Sequence, residues 1–250
     1  MTGGDRHPME LIQYWHAPRL PEDVGRLVAS FRAASPGLRH RLYDRRRAGR
    51  FIATCCGERQ ARAFAACAVP AMQADYFRYC ALSVTAGVYA DADMACRGDL
   101  APLLAGAAPV QLYVRPNGVV PNGFLIAKVA AHPFFRLALR IATLAVERRI
   151  SQSVWVATGP AITTFLYDLA TERSLPRLRA AYAARDDPDM RRQRALCEEV
   201  LEKVPDLDEV FRGVEFSPFA ALVPYVAGRG GLGYKSGPLH WASWTGSIYR

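Results

Sequence analysis

The stretch that decides the fold runs from Gln73 to Asp99 and reads QADYFRYCALSVTAGVYADADMACRGD. Its first half has the composition of a helix, and a very short apolar strand begins at Gly87. Two acids separated by one residue, Asp91 and Asp93, follow that strand directly. Hard divalent cations prefer oxygen ligands and often take one or two carboxylates together with substrate phosphates. The stretch therefore predicts a metal site at the end of a strand, although an Asp-x-Asp pair alone is a weak signal.

The helix before this strand carries two charged residues of opposite sign. Asp75 and Arg78 are three residues apart and Leu82 follows four residues later, so all three lie on one helix face. A carboxylate and a guanidinium group can then reach the same cleft. A surface ion pair with little effect on stability is the alternative interpretation.

The rest of the sequence predicts an α/β fold with a single mixed central sheet flanked by helices. Leu11 to Trp15 has a strand pattern, Glu22 to Ala34 has helical spacing, and Leu38 to Asp44 is a second strand. Further strands are predicted at 110–114 and 124–129, and further helices at 58–67, 133–148 and 160–171. A chain of 250 residues is long enough for one large domain, and we expect a single domain over 1–250.

Positive charge is concentrated in one part of the sequence. The net charge is +9, and six arginines lie between Arg39 and Arg50, where Gly49 and the arginines predict a loop. This cluster fits a solvated surface, or contact with an anionic membrane or polyanionic acceptor. No nucleic-acid motif accompanies it. A second charged region, at about 175–208, is predicted to be a solvent-facing helical insertion.

Cysteine usage and hydropathy bear on the compartment. The six cysteines show no Cys-x-x-Cys spacing, which favours reduced thiols in a reducing compartment. No segment has the length and composition of a signal peptide or a membrane helix. We expect a cytoplasmic protein, with peripheral attachment to the inner membrane surface left open.

Taken in order, these motifs resemble those of glycosyltransferase family 32, the related clostridial glucosylating toxin domains and the capsular polysaccharide transferases. The resemblance rests on Gln73 to Tyr79 followed by Gly87 to Asp93. It is extended by the first strand with Trp15, by Asn122-Gly123, His132-Pro133, Thr158-Gly159-Pro160 and His240-Trp241-Ala242-Ser243-Trp244. The family's Gly-Gly before the strand is Ala86-Gly87 here, and little chain follows the final motif.

This resemblance implies a GT-A type fold and a role for each matching residue. Catalytic and sugar-binding roles fall on Asp75, Arg78, Asp91, Asp93 and Asn122. The nucleotide sugar would be bound by Trp15, Tyr89, Ser243 and Trp244. The metal would be held by Asp91, Asp93 and His240.

The implied activity is metal-dependent, retaining transfer of a hexose or N-acetylhexosamine to a glycan or lipid-linked acceptor. The implied cofactors are Mn²⁺ or Mg²⁺ and a UDP- or GDP-linked sugar donor. A protein-modifying glycosyltransferase effector and a non-catalytic glycan-binding module on the same fold remain open. A nucleotidyltransferase would need a glycine-rich loop after the first strand, where this chain has Trp15-His16-Ala17-Pro18. The sequence does not name the donor sugar, the acceptor or the linkage.

Overall fold

A computed structural model of the chain describes residues 9–172, 187–228, 232–237 and 240–250. Within these ranges the strands form a six-stranded mixed sheet, in the order β2-β1-β3-β6-β5-β7, and a two-stranded sheet of β4 and β8. The strands are β1 Glu10–Tyr14, β2 Arg39–Tyr43, β3 Gly87–Ala90, β4 Met94–Cys96, β5 Val110–Val114, β6 Phe124–Ala127, β7 Val214–Pro218 and β8 Val226–Gly228. The mixed central sheet predicted from the sequence is confirmed.

The direction of the strands collects functional side chains at one edge of the large sheet. β1, β2 and β3 run parallel, whereas β6 runs antiparallel to β3. The ends of β1 and β3 therefore meet the beginning of β6, so Trp15, Asp91 and Asn122 all lie at this edge. β5 pairs antiparallel with β6 and parallel with β7, so both of these strands also end there. Ligands of open α/β sheets bind at such an edge.

The central strand β3 requires a glycine at its first position. A Cβ atom on Gly87 would lie 2.5 Å from the backbone oxygen of Glu10 on β1. Real Cβ contacts are not that short, so a side chain here would push β1 and β3 apart. Gly87 thus sets the close approach of the two strands that carry Trp15 and Asp91.

Helices cover both faces of the sheet. Helix α4, which carries Asp75 and Arg78, is deeply buried. Helix α4 begins with Pro70 at its first turn, where a missing N–H costs nothing, and its residues from Met72 to Leu82 are nearly all buried. The helices are α1 Glu22–Ala34, α2 Arg45–Cys55, α3 Glu58–Ala66, α4 Pro70–Leu82, α5 Ala101–Ala105, α6 Pro133–Glu147, α7 Val154–Ala157, α8 Pro160–Glu172, α9 Pro188–Leu201 and α10 Leu207–Phe211. Short 3₁₀ helices occur at Phe219–Ala221, Gly233–Ser236 and Trp241–Ser243.

The prediction of a loop in the arginine cluster is wrong. Residues 45–55 form helix α2, whose first turn is capped by the Asp44 carboxylate accepting from Arg47 N at 2.8 Å. Ala48 and Ile52, four residues apart, are buried against the core. The buried apolar face and the Asp44 cap stabilise a helix here, despite the arginines around them.

The charged region at 175–208 is helical where the structure describes it, but it is not only solvent-facing. Helix α9 buries Met190, Leu196, Cys197 and Val200 and packs against α6 and α7. Residues 173–186 lie outside the described part of the chain. No helix in the described ranges is both long enough and apolar enough to span a membrane.

Candidate active site

A cavity of about 870 Å³ opens at the edge of the sheet where β1, β3, β5 and β7 end and β6 begins. Its walls include Trp15 and His16 after β1, the Asp91–Met94 turn after β3, and Asn122 and Gly123 before β6. Helix α4 contributes Asp75 and Arg78, and the C-terminal segment contributes Tyr234, Lys235, His240 and Trp241. The six arginines between Arg39 and Arg50 do not line the cavity.

Arg78 is the centre of a buried charge network at the base of this cavity. Its Nη2 atom lies 2.9 Å from Asp75 Oδ1 and 2.9 Å from Asp91 Oδ1, and its Nε donates to the backbone oxygen of Ala74. The guanidinium group lies over the Tyr89 ring, 4.7 Å from its centroid. Only 3% of the Arg78 side chain is exposed, yet its Nη1 atom has no hydrogen-bond partner. A buried donor without a partner is rare in proteins, and Arg78 is one of the residues that line the cavity.

Asp75 is held from two sides. Arg78 contacts its Oδ1 atom, and Asn122 Nδ2 donates to the same oxygen at 3.1 Å. Asn122 Nδ2 also donates to Tyr79 Oη at 3.1 Å, so the amide connects helix α4 with the turn before β6. Burial raises the pKa of Asp75, whereas the Arg78 cation and the Asn122 amide oppose that rise.

Asp91 is fixed by its neighbours and by the absence of a side chain beside it. Its Oδ1 accepts from Arg78 and, at 3.2 Å, from Tyr89 Oη. A Cβ atom on Gly123 would lie 2.5 Å from Asp91 Oδ2, so only glycine leaves room for this carboxylate. Burial raises the pKa of Asp91 to about 7; Arg78 opposes the rise and Asp93 adds to it. A cation at this point would relieve the crowding of negative charge.

Asp93 has partners that the sequence interpretation missed. Its Oδ2 accepts from Tyr234 Oη at 2.6 Å and lies 2.8 Å from Lys235 Nζ. Both residues are about 140 positions away in the chain, and no local pattern connects them with the acid. The Tyr234 ring meets Trp15 edge-on with 5.0 Å between ring centroids, which joins the C-terminal segment to the strand β1 side of the cavity.

The structure brings only part of the predicted C-terminal set to the cavity. His240 lines it, and its ring lies 6.1 Å from that of Tyr234. Burial and the Lys235 charge lower the pKa of His240. Ser243 and Trp244 do not line the cavity; Trp244 Nε1 instead donates to the Ser247 backbone oxygen at 3.1 Å. Trp241 takes the position at the cavity, with 52% of its surface exposed.

Tyr89 also differs from its predicted role. It is fully buried and does not line the cavity, so it supports Asp91 and Arg78 from below. Trp15, in contrast, lies on the cavity wall, as do Asp75, Asp93 and Asn122.

The two acids after β3 suit a hard divalent cation. Asp91 and Asp93 offer oxygen ligands at one point of the cavity, as Mg²⁺ and Mn²⁺ prefer. Among the residues that the structure describes, no group of three His, Cys, Asp or Glu side chains could hold a metal ion, so His240 does not complete a protein cage. Two carboxylates without a third protein ligand leave coordination positions for phosphate oxygens and water, the usual arrangement at nucleotide sites.

Two comparisons with known proteins find similarity to glycosyltransferases. Residues 22–108 match the family model described as the glycosyltransferase sugar-binding region containing a DXD motif, and this segment includes helix α4 and both acids. The fold is similar to that of the PaToxG glycosyltransferase, with 12% sequence identity, a TM-score of 0.52 and 87% of each chain covered. No curated protein sequence matches the chain. Together these matches support an enzyme of the glycosyltransferase type with a GT-A type fold.

Proposed function

We propose that this enzyme transfers a hexose or N-acetylhexosamine from a UDP- or GDP-linked donor to a glycan or lipid-linked acceptor, with a divalent metal and retention of anomeric configuration. The observation that carries the proposal is the network of Asp75, Arg78 and Asp91 on the cavity wall, in which one buried guanidinium nitrogen is left unpartnered. Such a fixed donor recognises hydroxyl oxygens of a sugar, because it costs no reorganisation when the ligand arrives.

The cavity has two apolar sides that the Asp91–Asp93 turn separates. Ala92 packs with Trp15 on one side, whereas Met94 packs with Tyr113 and Phe124 on the other. We assign the Trp15 side to the nucleotide and the Tyr113 side to the acceptor. The acids then lie between the two substrates, where the diphosphate departs.

Each residue of the site has a distinct task in this mechanism. Arg78 and Asn122 hold Asp75, which accepts hydrogen bonds from the hydroxyl groups of the donor sugar. A divalent cation, when bound at Asp91 and Asp93, supplies Lewis-acid stabilisation of the leaving diphosphate. Arg78 adds positive charge beside the same centre.

The family resemblance implies retention, and the carboxylates of the cavity bear on the path by which retention would occur. Among the described residues that line the cavity, the carboxylates are Asp75, Asp91 and Asp93, and each is engaged by a cation of the chain. Asp75 and Asp91 are held by Arg78 and Asp93 is assigned to the metal, so none is assigned the role of covalent nucleophile that a retaining double displacement requires. A front-face path, in which the leaving phosphate helps to deprotonate the acceptor hydroxyl, needs no such group.

A donor screen tests the proposal. The purified chain is incubated with UDP- and GDP-sugars, with and without Mn²⁺, and nucleotide release is measured. We expect release from one donor class, dependent on the metal and on Arg78. The absence of both release and donor binding by calorimetry would instead support a non-catalytic glycan-binding module. Transfer of the sugar to a protein acceptor, with no transfer to a glycan or lipid-linked sugar, would replace the proposed acceptor class.

A further inference from the structure

The second acid of the pair is already occupied by a cation of the chain itself. Lys235 Nζ and Tyr234 Oη both contact Asp93 Oδ2, at 2.8 and 2.6 Å. The short segment that carries them is held in place, since Gly233 N donates to Asp23 Oδ2 at 3.2 Å. This contact places the backbone of the segment that carries Lys235 beside the cavity, within reach of Asp93.

The two cations of the site are not equally fixed. Arg78 is 3% exposed and bridges two carboxylates, so its departure would break the buried network. The Lys235 side chain is 29% exposed, and its flexible stem ends in a compact, strongly hydrated charge. Lys235 can therefore leave Asp93 without disturbing the core, whereas Arg78 cannot leave Asp91.

The Lys235 ammonium opposes a second cation at Asp93. A divalent ion on either oxygen of Asp93 would lie within about 7 Å of Nζ, given ordinary metal–oxygen distances. Charges at that separation in a partly buried site repel strongly, because the effective dielectric constant there is far below that of water. Occupation of Asp93 by Lys235 and by a divalent cation is thus mutually unfavourable.

We propose that Lys235 is an exchangeable counter-ion of Asp93, which holds this acid in the metal-free protein and releases it when a divalent cation binds. This inference rests on the proposed metal role of Asp93. In this proposal Lys235 is a positioning residue that weakens metal binding to the free enzyme. The affinity for the metal can be measured separately from activity.

Titration of the protein with Mn²⁺ alone, followed by electron paramagnetic resonance of the free ion, tests this exchange without any donor. We expect Lys235→Met to lower the dissociation constant for Mn²⁺ by about tenfold, because one opposing charge is removed. Lys203→Met, which removes a lysine paired with Glu199 on the surface, should leave the constant unchanged. Tyr234→Phe removes the other contact to the same oxygen without changing charge, and we expect at most about a twofold effect.

Unchanged or weaker Mn²⁺ binding in Lys235→Met would overturn the exchange, and so would an equal gain in Tyr234→Phe. The gain must also disappear when Asp93→Asn is combined with Lys235→Met, since its persistence would place the ion elsewhere. If Lys235→Met does not tighten Mn²⁺ binding but nucleotide release still depends on the metal, the exchange is refuted and the proposed function is retained. The absence of Mn²⁺ binding in every variant refutes both the exchange and the metal role.

Discussion

The site consists of two halves that the chain builds in different ways. The inner half, formed by Asp75, Arg78, Asp91 and Asn122, is held by hydrogen bonds between helix α4 and the ends of β3 and β6. The outer half, formed by Asp93, Tyr234, Lys235, His240 and Trp241, joins the same turn to the C-terminal segment. Two acids separated by one residue thus belong to different environments.

This difference predicts fixed side-chain positions in the inner half and exchange of ligands in the outer half. Within the inner half, Asp75, Arg78 and Asn122 are buried, and Asp75 and Arg78 share helix α4, so these side chains are positioned in advance of ligand binding. The outer half is partly exposed and is held mainly by contacts distant in sequence. Local stability is lowest where few apolar contacts are made, and ligand-dependent changes are drawn from such regions. Changes to the inner half should therefore affect folding and catalysis together, whereas changes to the outer half should affect ligand binding or catalysis with little effect on folding.

The largest effect is expected for Arg78→Met. The variant leaves the carboxylates of Asp75 and Asp91 without their cation, and breaking a buried pair typically costs about 3–5 kcal/mol. We expect nucleotide release to fall below detection and the free energy of unfolding, from urea denaturation, to fall by this amount. Arg41→Met, which removes a partly exposed pair with Glu10 outside the cavity, serves as the control. Equal stability of the two variants would show that the inner network does not support the fold.

If Arg78→Met is too unstable to purify, Arg78→Lys separates charge from geometry. A lysine retains the positive charge but cannot reproduce the fork that faces Asp75, Asp91 and the cavity. We expect a folded protein with activity reduced by at least about 100-fold. Full activity in Arg78→Lys would refute the role of the unpartnered guanidinium nitrogen.

A smaller effect, still on catalysis, is expected for Gly123→Ala. The new methyl group would overlap Asp91 Oδ2 and displace this carboxylate. A displacement of about 1 Å in a catalytic site can cost about 100-fold in rate. Gly37→Ala is the matched control, because its Cβ would meet nothing within 4 Å. Steady-state nucleotide release from both variants decides whether the position of Asp91 matters, and equal rates would show that it does not.

Asn122→Leu should have a moderate effect. The substitution keeps the approximate shape but removes the amide that donates to Asp75 Oδ1 and Tyr79 Oη. Asp75 Oδ1 keeps its contact with Arg78 but loses one hydrogen bond, and a hydrogen bond to a charged group contributes about 1.5–3 kcal/mol. We expect this loss in the free energy of unfolding, with activity reduced by about tenfold. A gain in stability with unchanged activity would mean that Asp75 does not depend on this donor.

The smallest effect belongs to the exposed end of the outer half. We expect Trp241→Ala to raise the KM for the donor about threefold, because an exposed ring supplies part of the cavity wall without ordering the core. Trp244→Phe should leave KM unchanged, since Trp244 does not line the cavity. The reverse result would restore the role that the sequence resemblance assigned to Trp244.

The sequence is sufficient for most of the inner half because the information there is local. Asp75 and Arg78 share a helix face by their spacing, and Asp91 directly follows an apolar strand, so the sequence pattern alone places all three. Asn122 is indicated only by the family resemblance. Its neighbour Gly123 belongs to the same motif, but the clash that forbids a side chain there depends on a packing distance that no spacing reveals.

The outer half does not follow from the sequence in this way. Tyr234 and Lys235 reach Asp93 only because the C-terminal segment folds back over the cavity, a contact between residues about 140 positions apart. The resemblance of the final motif assigns Trp244 to the site, whereas Trp241 of the same motif is the one on the cavity wall. The arginine cluster has the composition of a loop, which conceals the short apolar face and the Asp44 cap that make it a helix.

The Asp93→Ala variant tests most directly whether the acids after β3 form a metal-dependent transfer site. Asp93 is the exchangeable acid of this site. Nucleotide release from the donor is measured with Mn²⁺, beside urea unfolding of the same protein. We expect release to fall by at least about 100-fold. The free energy of unfolding should stay within about 1 kcal/mol, because a partly exposed ion pair contributes little to stability. Undiminished metal-dependent release from the folded variant would show that Asp93 does not hold the metal.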